Sequence, residues 1–109
     1  MDVQKESLGF KNLQQIFISY KPPENVKNII RQTLRKIHEN SPSDSQVNFF
    51  MEKINKRYKA ECKVRSQSGS FEARVIAESP LKAAAHIEKI IIEQLDEWKK
   101  YRFSHYSVS

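Results

Sequence analysis

Three times between Val47 and Ala77 the apolar residues fall on every second position. Val47, Phe49 and Met51 alternate with Asn48, Phe50 and Glu52. Tyr58, Ala60, Cys62 and Val64 alternate with Lys59, Glu61, Lys63 and Arg65. Phe71, Ala73, Val75 and Ala77 alternate with Glu72, Arg74 and Ile76. Successive side chains of a strand point to opposite faces, so this pattern demands three strands that each bury one face. Their links, "NKR" and "SQSGS", suit hairpins and nothing longer, which makes the three runs an antiparallel meander. Gly69 in the second link can take the positive φ a tight turn needs.

A sheet with one apolar face must be covered, and the remaining sequence offers two helices. From Val26 the period changes: Val26, Ile29, Ile30, Leu34 and Ile37 fall on one helical face. "KPPE" precedes that helix and "ENSPSDS" ends it. Ser79 suits an N-cap and Pro80 a first helical position. The second helix is expected from Leu81 to about Tyr101, with Leu81, Ala84, Ile87, Ile91, Leu95 and Trp98 as its buried stripe. Upstream, "LQQIFISY" (13–20) reads as one more strand. The expected fold is α+β, in the order β-α-β-β-β-α: a four-stranded, mostly antiparallel sheet with two helices packed on one face. The other face stays open. Residues 1–12 are expected to form a flexible arm, 13–102 a single domain and 103–109 a tail.

Function classes narrow by what is missing. A chain of 109 residues makes one domain with a modest core. No run approaches the roughly 20 apolar residues that cross a bilayer, and "MDVQKESLGF" lacks a signal-peptide core, so a cytoplasmic, membrane-free protein is expected. A lone cysteine, Cys62, permits no internal disulfide and fits a reducing compartment. It alternates onto the apolar face, where a small buried hydrophobe is the expected role rather than a nucleophile. Only Gly9 and Gly69 occur, so no glycine-rich loop can cradle a phosphate. His38, His86 and His105 stand apart without a second metal ligand. No enzyme, cofactor, metal or small-molecule substrate is expected.

Charge is the remaining signal. The net is +6, and the surplus is clustered. Residues 21–38 carry Lys21, Lys27, Arg31, Arg35 and Lys36 against Glu24 alone, and residues 53–65 carry six cations against Glu61 alone. Lys27, Arg31 and Arg35 repeat every four residues, stacking like charges in one helical row, which costs some stability unless a partner answers it. Basic clustering on a small domain points to a polyanion, most often nucleic acid. The expected RNA-binding set is Lys27, Arg31, Arg35, Lys36, Lys56, Arg57, Lys59, Lys63, Arg65, Lys82 and Lys89, gathered into one continuous positive surface. Phe50 could stack a base, but no strand carries the aromatic signature of single-strand readers, so backbone and shape recognition is favoured.

The β-α-β-β-β-α order in a basic chain resembles the bacterial ribosome hibernation promoting factor and protein Y family. The resemblance spans roughly residues 13–101. It is carried by "PENVKNIIRQTLRKI", by the meander "VNFFMEKINKRYKAECKVRSQSGSFEARVIAES" and by "SPLKAAAHIEKIIIEQL", with Glu78, Ser79, Ala83 and Gln94-Leu95 at matching places. It implies a non-catalytic factor that binds small-subunit rRNA, occupies the decoding channel and inactivates or preserves idle ribosomes under stress. Lys27 and Lys36 match basic positions of the family's first helix; Arg31 and Arg35 add to them. The family's second helix is strongly basic, whereas here Ile91, Glu93, Asp96 and Glu97 replace much of that charge. A short, monomeric member without the dimerising domain of long members is expected. Two other readings share this pattern: a double-stranded RNA-binding module, whose α-β-β-β-α order is embedded here, and a protein-interaction domain of the same fold.

Overall fold

Each period-two run becomes a strand and each 3.6-period run a helix. The computed structural model describes residues 14–108, in the order β1 (Gln14–Ile18), α1 (Glu24–Asn40), β2 (Gln46–Ile54), β3 (Arg57–Ser66), β4 (Gly69–Ala77) and α2 (Pro80–Val108). The expected arm, residues 1–12, lies outside the described residues. The sheet order is β1-β2-β3-β4, with β1 parallel to β2 and the other pairs antiparallel. A parallel pair needs a crossover, and α1 supplies it.

Register follows from which face is buried. Ile16, Phe49, Cys62 and Ala73 form one row across all four strands on the core side. A slip of one residue would turn every apolar side chain to water, so the pattern fixes the pairing. Onto this face α1 lays Val26, Ile30, Leu34 and Ile37, and α2 lays Ala83, Ala84, Ile87, Ile91 and Leu95. Leu34, Ile37, Val47, Met51, Ile87, Ile91 and Leu95 are all fully buried. Each such large side chain contributes about 1.5–3 kcal/mol on leaving water. The core side of β3 and β4 is small, with Ala60, Cys62, Ala73 and Ala77, and α2 packs there. The two helices are joined at their surface by a Lys36–Glu88 ion pair at 2.9 Å and by the Lys99 Nζ, which donates to Asn40 Oδ1 at 2.7 Å.

Boundaries differ from the sequence reading in four places. β1 ends at Ile18, although the Ser19 N–H still donates to the Met51 carbonyl at 2.9 Å. β3 opens at Arg57, because Asn55 accepts a left-handed φ of 57° and lets a two-residue loop close the Ile54–Arg57 pair. Asparagine tolerates that conformation better than most residues. Gly69, at φ +153°, opens β4, and the Ser66 hydroxyl both accepts from its N–H and donates to its carbonyl. The last change is the largest. α2 runs to Val108, past the end expected near Tyr101, since "YRFSHYSV" contains no glycine or proline to stop it. Ser79 caps its start, its Oγ accepting from the Lys82 N–H at 3.1 Å.

Candidate nucleic-acid interface

With both helices on one side, the polar parity of every strand faces outward on the other. Rows can be read directly from the register. Gln15, Asn48, Lys63 and Glu72 form one; Phe17, Phe50, Glu61 and Arg74 the next; Glu52, Lys59 and Ile76 a third. Along β3 this places Arg57, Lys59, Lys63 and Arg65 in a single column, broken once by Glu61. Same-face neighbours in such a column lie about 7 Å apart.

Glu61 does not cancel that column. Its carboxylate is held by Arg74 Nε at 2.9 Å, and Arg74 also reaches Glu72 at 3.8 Å. By contrast Lys56, Arg57, Lys59, Lys63 and Arg65 make no ion pair with another described residue. Lys56 and Arg57 project at the β2–β3 hairpin, and Arg65 is exposed at the other end of β3. A column of cations without internal partners keeps its full capacity for an external anion.

The helical cations sit elsewhere, which corrects the expectation of one continuous surface. α1 lies on the far side of the sheet from the outward parity of β3, so the two basic segments, adjacent in the sequence patterning, occupy different faces. Lys27 lines a concavity beside β1 together with Tyr20, Lys21 and Pro22. Arg31 pairs with Glu24 at 3.7 Å and donates to Asn28 Oδ1 at 2.9 Å, while Arg35 is exposed on the helix. Lys36 is engaged by Glu88, and that carboxylate raises the lysine's pKa by hydrogen bond and charge. On α2, Lys82 lies 3.9 Å from Glu78, and Lys89 is exposed. The eleven expected positions therefore divide into a sheet-face group of five and a helix-layer group of six.

Sequence reasoning missed Phe17. Its ring stacks on Phe50 with centroids 5.2 Å apart and planes within 3° of parallel, inside the usual range for aromatic pairs. Within the described residues Phe50 meets this in-register neighbour on β1. Strand parity was the available signal: once β1 is placed parallel to β2, Phe17 and Phe50 must share the open face. Phe17 remains 38% exposed on an edge strand. The rings border a shallow concavity of about 280 Å³, which also touches Gln15, Asn48, Glu61 and Lys63. At the hairpin end of the same face, Ile54 (42% exposed) and Ile76 (63% exposed) floor a second concavity edged by Lys56, Arg57 and Lys59.

Other chemistry is muted. Cys62 is buried and its thiol is pushed up to about 12 by that burial, far from the thiolate a nucleophile requires. Tyr20, which donates to Met51 Sδ at 3.6 Å and tilts against Tyr58, is likewise raised to about 12, by burial first and by Tyr58 second. Among the described residues no cluster of three His, Cys, Asp or Glu could hold a metal, and no helix is long and apolar enough to cross a membrane.

No family model and no curated protein sequence matches the chain. Solved structures do. A ribosomal subunit interface protein from Coxiella burnetii aligns with a TM-score of 0.61 at 12% identity, covering 78% of this chain and 97% of its own. The N-terminal domain of Thermus thermophilus Protein Y aligns with a TM-score of 0.59 at 11% identity, covering 81% of this chain and 94% of its own. At such identities the likeness is one of architecture: this chain has the fold of a ribosomal subunit interface protein and of the Protein Y N-terminal domain.

Proposed function

We propose that the protein is a non-catalytic, cytoplasmic, ribosome-associated factor that binds small-subunit rRNA in the decoding channel and holds idle ribosomes inactive. The fold supports this reading through its likeness to the two solved structures above, one named for the ribosomal subunit interface. The observation that carries it is the set of five cations on the open sheet face and its hairpin, none paired with a described residue. Lys27, Arg31, Arg35, Lys36, Lys82 and Lys89 would act from the helix layer as a second, weaker contact. Basic side chains that neutralise phosphates release counterions, so the association must weaken steeply with salt. Co-sedimentation of the purified protein with small subunits, at about 50 and about 200 mM salt, tests it. Binding at the lower concentration that is mostly lost at the higher is expected. No association at either would refute the proposal.

One observation favours the protein-interaction reading. Ile54 and Ile76 present apolar surface between cations, and bare phosphates have no use for it. An acidic peptide with apolar side chains would fit. Under that reading Ile76→Ser abolishes capture of a protein partner while leaving RNA affinity within about twofold, because a neutral side chain adds no charge beside Lys59.

A further inference from the structure

Resting on the RNA reading above, we infer that the open face takes an unpaired RNA segment, one base stacked on the Phe17–Phe50 pair and flanking phosphates on Lys59 and Lys63. The ligand class follows from what each group can reach. In a duplex the faces of the bases are already covered by their neighbours, and only unpaired bases can be splayed onto an aromatic ring. Two parallel rings on an open, edge-proximal surface are of use to such a base and of none to a duplex backbone.

The layout matches a strand of nucleotides. Phe50 lies one strand from the β3 column, about 4.8 Å, and Phe17 two strands away, roughly 10 Å. Lys63 and Lys59 stand in the rows on either side of the aromatic row. Phosphates can therefore follow β3 while a base reaches across β2 towards β1. Gln15 and Asn48, in the row beside the rings, offer amide donors and acceptors to a base edge. Glu61 lies in the aromatic row itself, but its carboxylate is occupied by Arg74. Beyond β1 no further strand pairs among the described residues, so the outer face of Phe17 is where the stack can lengthen.

The test uses the full chain and a fluorescein-labelled, mixed-sequence single-stranded RNA dodecamer, alone or annealed to its complement, read by anisotropy at about 50 mM salt. Small-subunit sedimentation runs in parallel. The single strand is expected to bind about 10-fold more tightly than the duplex. Phe17→Ala should weaken single-strand binding by about 10-fold, the loss of one base stack, and leave duplex binding unchanged. Losing the ring pair with Phe50 lowers the melting temperature by a few degrees, so binding is read well below the transition. Phe17→Trp should keep the affinity and show indole quenching on RNA addition. Equal affinity for strand and duplex, or a Phe17→Ala protein that binds the strand as wild type does, overturns the stacking site even where subunits still co-sediment. Failure to sediment with subunits, with Phe17-dependent strand binding intact, overturns the ribosomal reading and upholds the stacking site.

Discussion

Neutralising one face and not the other separates the two groups of cations. Consider Lys59→Gln, Lys63→Gln and Arg65→Gln together. None of these side chains pairs with a described residue, so the fold loses little and the melting temperature should hold. Five phosphates engaged by Lys56, Arg57, Lys59, Lys63 and Arg65 would give a slope of log K against log salt near about −3.5, at about 0.7 per phosphate on a single strand. Between about 50 and 200 mM that slope corresponds to a loss of roughly 100-fold in affinity. With only Lys56 and Arg57 left, the slope falls to about −1.4 and the loss to roughly 7-fold. The control is Lys27→Gln, Arg31→Gln and Arg35→Gln, which should change the slope far less. Anisotropy titrations at four salt concentrations measure all three proteins. If the β3 triple keeps the wild-type slope while the α1 triple flattens it, the sheet face is not the interface and the reasoning fails.

Stability predictions follow from individual contacts. Gln94 lays its side-chain amide against the exposed edge of β4, accepting from the Glu72 N–H at 3.1 Å and donating to the Glu72 carbonyl at 2.9 Å. Gln94→Leu should cost about 1 kcal/mol in urea unfolding and promote association through the uncovered edge, seen by light scattering; unchanged scattering and unchanged stability would refute this. Leu34→Ala, at a fully buried site, should cost about 2–5 kcal/mol, and a smaller loss would mean the helix layer packs loosely. Cys62 titrates near 12 when folded but near 8.5 when unfolded. The unfolded chain thus releases its proton first, and stability present below about pH 8.5 should decline by up to about 1.4 kcal/mol per pH unit above it. Native Cys62 should resist a thiol reagent at pH 8 until denaturant is added, and Cys62→Ala should flatten the alkaline decline; rapid native labelling would contradict the burial.

The meander was legible because one-sided burial and period two are the same constraint seen twice: Val47, Cys62 and Ala73 had to face inward, and they do. Helix limits were less so. No residue near Tyr101 forbids continuation, and nothing local to the sequence sets where α2 ends. The site was half legible. Composition located the cations of β3 by residue, but their separation from Lys27, Arg31 and Arg35 depends on which side of the sheet α1 covers. That is a property of packing, invisible to charge counting. Phe17 escaped for a related reason, since its partner lies 33 positions away and meets it only through the parallel β1–β2 register.

That division of faces explains how a chain of this kind can keep its architecture while its charges drift. Residues of the core parity are held by volume: enlarging Ala60 or Ala73 would push α2 off the sheet, at a cost of about 1–3 kcal/mol. Residues of the open parity meet no such limit, since the strand tolerates lysine, phenylalanine or glutamate alike where side chains reach solvent. A weakly basic α2, with Glu93, Asp96 and Glu97 beside Lys89 and Lys100, therefore leaves the cations of β3 and its hairpin untouched. Under the proposed RNA reading it would move the balance of contact from the helix layer to β3 and its hairpin. The consequence is measurable in one ratio. Removing the β3 cations should weaken binding more than removing Lys36, Lys82 and Lys89 together, since two of those three already answer a carboxylate at 2.9 and 3.9 Å.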